Sequence, residues 1–178
     1  SNKFGQSKII YNSLVKLKET NNFDQIKNRI LDKEILEMEH RGISLQKNDQ
    51  EIFNNIAEKL GKLSTDFSNN VLDATNKWFL ILNKKSDVNG LPERVLELMA
   101  ISAHNHLKKD GEVDIKNGPW KLSLDIPTYT SFMTYATDRN LREKLYKAFV
   151  SRASQGEKNN SQIIEEILSL RTKQADLL

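Results

Sequence analysis

The sequence predicts a mainly α fold: a multi-helix, bundle-like segment with one long helix and one β-hairpin near residues 112–126. Three observations carry this prediction. Apolar residues recur at steps of three and four over most of the chain, the spacing that places them on one helix face. One such seam runs unbroken for roughly thirty residues, several times the length of an ordinary strand. The period changes to two only around Val113–Ile126, on either side of Asn117-Gly118, a pair that tolerates the positive φ of a tight hairpin turn.

The first helix carries Ile9, Ile10, Leu14 and Leu17 and is interrupted at Thr20-Asn21-Asn22. The second carries Phe23, Ile26, Ile30, Ile35 and Met38 and stops at Gly42, a natural position for left-handed backbone. Asn48 and Glu51 then have the spacing of a capping box, each side chain reaching a backbone N–H left free at a helix start. The seam that follows is Ile52, Ile56, Leu60, Leu63, Phe67, Val71, Ala74 and Trp78. A continuous helix from Asp49 to Leu82 would be about 50 Å long. A compact domain of this size is about 40 Å across. The helix would therefore overhang its own domain unless further chain embraced it or Gly61 or Asn69-Asn70 broke it.

Asn83–Gly90 reads as a polar loop. Pro92 fits the first turn of a helix running from Glu93 to about Lys109. In the expected hairpin, a two-residue turn at Asn117-Gly118 pairs Ile115 with Trp120 and Val113 with Leu122, and sets Asp114 against Lys121 on the opposite face. Pro119 at the strand entrance requires an edge position. Three further helices are expected near Thr128–Ala136, Asp138–Arg152 and Asn160 to the end, with a loop over Ser151–Asn160 between the last two.

Composition narrows the function classes. The 178 residues are 38% hydrophobic and 29% charged, with three Pro and no Cys. That apolar content supports a core and is too high for a disordered chain. The lack of cysteine removes disulfide frameworks, Cys-ligated zinc, iron–sulfur clusters and thiol nucleophiles. With 27 Lys+Arg against 24 Asp+Glu, the net charge of +3 is too mild to indicate nucleic acid. No run approaches the roughly 18 apolar residues of a membrane span, and no signal-like segment opens the chain, so a soluble intracellular protein is expected. Residues 1–178 read as one helical segment, and an incomplete one. Ser1-Asn2 stands where an initiator Met would, like a cloning remnant, and Ala175-Asp176-Leu177-Leu178 ends within an apolar periodic run.

The candidate chemical groups are sparse. Glu37 and His40 have the Glu-x-x-His spacing of di-iron bundles, but that chemistry needs a second pair and two more carboxylates. His40 at a helix end instead reads as a cation favoured by the dipole. His104 and His106, two residues apart on one helix, point about 200° apart and cannot share an ion. There is no H-E-x-x-H, nucleophile elbow, Walker loop or dinucleotide fingerprint. The basic series Arg139, Arg142, Lys144, Lys147 and Arg152 reads as a solvated helix back, with phosphate or nucleic-acid binding as the alternative. Tyr129, Phe132, Met133 and Tyr135 read as core or as the wall of a cleft.

Several separated blocks carry a resemblance. Ser64-Thr65-Asp66-Phe67-Ser68-Asn69-Asn70-Val71-Leu72-Asp73-Ala74-Thr75 is one, and Lys121-Leu122-Ser123-Leu124-Asp125-Ile126-Pro127-Thr128-Tyr129 a second. Leu141-Arg142-Glu143-Lys144-Leu145-Tyr146-Lys147-Ala148-Phe149, Ser151-Arg152-Ala153-Ser154 and Glu165-Glu166-Ile167-Leu168-Ser169-Leu170-Arg171 continue it. The chain resembles the oligopeptidase A and thimet oligopeptidase family of zinc metallopeptidases over about residues 11–178, the bacterial oligopeptidase A branch most of all. The loop from Gln155 to Asn160 is shorter than that family's pattern.

The resemblance implies a two-lobed, mainly α-helical cytoplasmic enzyme that hydrolyses short peptides within a deep channel. Its zinc would be held by an H-E-x-x-H helix and a later Glu, none of which falls in this chain. By that implication this chain is a piece of the non-catalytic N-terminal half, contributing channel wall and scaffold. No catalytic or metal residue is assigned, the substrate-binding residues are unknown, and no zinc is expected on His40, His104 or His106. The expected partners are short peptides through the parent enzyme and the missing catalytic lobe, not nucleic acid or membrane. The alternative reading is a free-standing helical module that binds peptides or a protein through the long seam.

Overall fold

A computed structural model describes residues 5–20, 22–108 and 110–178. Seven α-helices and a two-stranded antiparallel sheet lie among the described residues. In order they are α1 (Lys8–Thr20), α2 (Gln25–His40), α3 (Lys47–Lys77), β1 (Phe79–Leu82), α4 (Glu93–Leu107), β2 (Trp120–Ser123), α5 (Ile126–Tyr135), α6 (Arg139–Val150) and α7 (Ser161–Asp176). Short 3-10 turns at Lys85–Val88 and Gly156–Lys158 complete the list. The mainly α prediction holds. Ser1-Asn2, Asn21 of the first interruption and the Lys109 helix end lie outside the described residues.

The chain divides into two compact units, one of Ser1–Ser64 with Ile163–Leu178 and one of Thr65–Gln162. In the first unit, the Asp24 side chain caps α2 by accepting the Lys27 N–H at 2.8 Å. Gly42 ends that helix at φ +79°, as its sequence position suggests. A Cβ there would lie 3.0 Å from the Leu45 side chain and 3.3 Å from Phe53, so glycine suits both the backbone and the space. Lys18 pairs with Asp32 at 2.5 Å, and the Tyr11 hydroxyl donates to Glu39 at 2.7 Å, tying α1 to α2. Leu31, Met38, Ile43, Phe53, Ile56 and Leu63 are buried.

Two expectations about α3 need correction. Asn48 lies inside its first turn, because the helix already begins at Lys47, where the Gln50 N–H reaches the Gln46 carbonyl at 2.8 Å. There is therefore no capping box. The helix also stops at Lys77, not Leu82, and breaks at neither Gly61 nor Asn69-Asn70. Phe79-Leu80-Ile81-Leu82 continue the four-residue seam through Trp78 and Leu82, but they form strand β1.

The second unit is built on that strand. β1 pairs with β2 in the register Phe79↔Ser123, Leu80↔Leu122, Ile81↔Lys121 and Leu82↔Trp120. The expected hairpin is thus half right: 120–123 is a strand, but residues 113–115 are not its partner. The backbone hydrogen bonds of the preceding segment are used in a turn instead. The Asp114 carboxylate accepts the Lys116 and Asn117 N–H groups at 3.1 and 2.9 Å, and the Gly118 N–H donates to the Asp114 carbonyl at 3.1 Å. The Trp120 indole then donates to the Ile115 carbonyl at 3.1 Å. Lys121 does not face Asp114; its ammonium lies 4.9 Å from the centre of the Phe79 ring.

Alternation along β2 sends Trp120 and Leu122 inward, and Leu124 follows them into the core. Met99 and Ala100 of α4, Phe132 of α5 and Leu145 of α6 close over them, with Leu82, Val88 and Leu91. Val88 sits in the 3-10 turn within the expected polar loop and is buried. Ile126, read as the end of the alternating strand, is 58% exposed because α5 has already begun there.

Candidate functional site

The second unit carries an open groove of about 850 Å³. Asp73, Ala74 and Lys77 of α3 form one wall, and the segment from Ala148 to Lys158 forms the other, with Trp78 and Leu124 between. The sequence blocks at 64–75 and 151–154 meet around it, and the local chemistry shows why.

Helix α6 ends at Val150, so Arg152 lies beyond it and not on its solvated back as expected. The Arg152 Nε donates to the Phe149 carbonyl at 2.8 Å, and one terminal nitrogen donates to the Thr75 hydroxyl at 3.2 Å. The guanidinium also covers the Phe149 ring at 3.6 Å, and Phe149 stacks on Tyr129 at 3.8 Å. Arg152 is thereby fastened to α3, which leaves it a poor candidate for phosphate.

Beyond it the backbone turns at Ala153, held at φ +50° and buried. The loop closes where the Asn160 N–H donates to the Ala153 carbonyl at 2.8 Å. Asn160 is itself 2% exposed. Its side-chain nitrogen donates to the Phe67 carbonyl at 3.1 Å, and its oxygen accepts from Asn70 at 2.9 Å. Lys158 pairs with Asp73 at 2.8 Å. The hydrogen bond that the Lys158 ammonium donates to Asp73, then the charge of Asp73, raises the Lys158 pKa above the ordinary lysine value.

The groove offers apolar surface from Trp78 and Leu124 and charge at its rim. The Ser151 hydroxyl on its wall is occupied, donating to the Lys147 carbonyl. No group of three or more His, Cys, Asp or Glu among the described residues could hold a metal ion. Glu37 of the Glu-x-x-His pair is engaged with Lys33 and Arg41. His106 packs its ring 4.3 Å from Phe79, with the Lys121 ammonium 3.5 Å from its Nδ1. His104 lines a different, small cavity with Glu112 and Gly118. A zinc ion does not fit the donor sets found around these histidines among the described residues.

Of the aromatic cluster, Phe132 is in the core, Tyr129 lies in the stack beneath Arg152, and Tyr135 is half exposed. Sequence reasoning missed Asn70 and Asn160 as a pair. Asn69-Asn70 looked like a helix break and Asn159-Asn160 like loop filler, and nothing local links positions 90 residues apart.

The description Peptidase family M3 applies to a profile matching residues 132–178. The chain is 40% identical over 179 residues to the probable cytosolic oligopeptidase A of Arabidopsis thaliana, covering 99% of this chain and 25% of that protein. These matches support the expected likeness to the oligopeptidase A and thimet oligopeptidase family across nearly the whole chain. The organellar oligopeptidase A of Arabidopsis thaliana, named chloroplastic/mitochondrial, is likewise 40% identical, across 99% of this chain and 22% of its own length. Oligopeptidase A of Haemophilus influenzae is 34% identical over 182 residues, across 98% of this chain and 25% of its own length. The chain therefore spans about a quarter of the length of the curated relatives it matches. Within the chain, the profile takes in the end of α5, α6, the loop closed by Asn160 and α7, whereas the 64–75 and 121–129 blocks lie outside it.

Proposed function

We infer that this chain is a non-catalytic segment of a zinc-dependent oligopeptidase, a metalloendopeptidase that hydrolyses short peptides in the cytoplasm. In this reading it supplies channel wall and scaffold, and zinc and the hydrolytic residues are held by the catalytic lobe of the same protein. The observation that carries it is the 40% identity to an oligopeptidase A across 99% of the chain. Metal content of the purified chain and its hydrolysis of a quenched fluorescent peptide, with and without chelator, test this directly. No stoichiometric zinc and no chelator-sensitive turnover are expected. Chelator-sensitive turnover by the pure chain would refute the reading.

A second reading, a module that captures peptides by itself, is favoured by the groove beside Trp78 and Leu124. It predicts saturable quenching of Trp fluorescence by peptides in the isolated chain.

A further inference from the structure

The groove beside Trp78 and Leu124 carries a charge imbalance among its five charged residues, Asp73, Lys77, Arg152, Glu157 and Lys158. Both acids act on one cation. Asp73 pairs with Lys158 at 2.8 Å, and the charge of Glu157 adds to the same upward shift of the Lys158 pKa. Lys77 and Arg152 have no acidic partner among the described residues. The positive surplus of the groove therefore rests on Lys77, next to Trp78 in the chain, and on Arg152.

Arg152 is prepared to receive an acceptor. Its Nε and one terminal nitrogen are spent on the Phe149 carbonyl and the Thr75 hydroxyl. The other terminal nitrogen has no partner, and protein does not close it off: the Arg142 Nε is the only enclosed side-chain polar atom without a partner among the described residues. Those two bonds and the Phe149 ring 3.6 Å away hold the guanidinium in place, so little freedom is lost when a ligand arrives. One free nitrogen is too little for the three oxygens of a phosphate but suits one carboxylate oxygen. The chain turns directly after it at Ala153, at φ +50°, a left-handed conformation that a residue with a Cβ adopts at a cost and that recurs at ligand sites.

Apolar surface with a few convergent polar groups is the ordinary form of a small-ligand site. We propose that the groove binds a peptide carboxylate beside an apolar side chain, with Arg152 donating to the carboxylate, Lys77 as supporting charge, and the side chain laid against Trp78 and Leu124. The assignment rests on the second reading above, peptide capture by the chain, and is independent of hydrolysis by the parent enzyme.

Titration of the 178-residue chain, followed through its two indole N–H resonances by NMR, tests this. The Trp78 signal is the one lost in Trp78→Phe, and the fully buried Trp120 is the internal control. Three probes separate the sources of the carboxylate: N-acetyl-alanyl-leucine, its amide, and N-acetyl-glutamyl-leucine amide. The expected result is a saturable shift of Trp78 by at least one carboxylate probe, with the neutral amide about tenfold weaker or worse. Response to the free acid alone assigns a peptide C-terminus, and response to the glutamyl amide assigns an acidic side chain. Arg152→Lys should weaken carboxylate binding by about tenfold and Lys77→Gln by about threefold, both leaving the neutral amide unchanged. Equal binding of acid and amide would overturn the proposal while peptide capture stands, and no shift with any probe would overturn both, whatever the variants do.

Discussion

Asn160 closes the loop after α6 with one backbone and two side-chain hydrogen bonds while almost fully buried. Truncating it leaves the Phe67 carbonyl and the Asn70 amide without that partner in a site closed to water. Asn160→Ala is expected to cost about 2 kcal/mol, read as a lower urea midpoint at unchanged slope. The exposed Lys158–Asp73 pair nearby should contribute far less, as half-solvated ion pairs do. Asp125 offers a pH-dependent test at the same scale. Burial opposes its ionisation, but the Ser123 hydroxyl and the Thr128 hydrogen bonds outweigh this and hold its pKa below the ordinary 3.8. A carboxyl depressed on folding contributes fully above its unfolded pKa, and the contribution is lost as pH falls through the folded one. Asp125→Ala should therefore cost about 1 kcal/mol at neutral pH through the lost α5 cap. The gap should shrink as pH drops below 3.8. Denaturation curves at both pH values check this, and a constant gap would contradict it.

Among the elements, the helices were the readable part. α1, α2, α4, α6 and α7 fall where three- and four-residue spacing, Gly42 and Asp138 suggest, because their signals are local. The sheet was not readable, for a physical reason. Leu82 continues the helical seam by count, while the true partner of Trp120 lies 38 residues upstream, as the Leu82↔Trp120 register shows. Pairing at that separation leaves no local trace, whereas Asn117-Gly118 advertises a hairpin that Asp114 converts into a turn. Hydrogen exchange distinguishes the two arrangements. Slow exchange is expected for amides within 79–82 and 120–123, and fast exchange for Val113 and Ile115. The length of α3 gives another prediction. Gly61 lies inside this 31-residue helix, and a Cβ there would meet nothing within 4 Å. Gly61→Ala should stabilise the chain by about 0.5–1 kcal/mol, measured by chemical denaturation. A loss of stability would show that the helix is not continuous at that point.

At the scale of the whole molecule, each unit carries its own buried residues, and the groove lies within Thr65–Gln162. The features that hold the groove's walls together, the Asn70–Asn160 pair and the anchoring of Arg152 to Thr75, are structural bonds. The likeness to oligopeptidase A was legible from blocks of sequence, but which residues of those blocks touch was not, since the 64–75 and 151–160 segments meet only after folding. The most direct measurement exchanges this chain for the aligned quarter of the cytosolic Arabidopsis thaliana oligopeptidase A and assays the purified, folded chimaera on a quenched fluorescent peptide. A scaffold predicts turnover within about tenfold of the parent, abolished by chelator. A correctly folded chimaera that binds metal as the parent does yet cleaves no peptide would contradict the account.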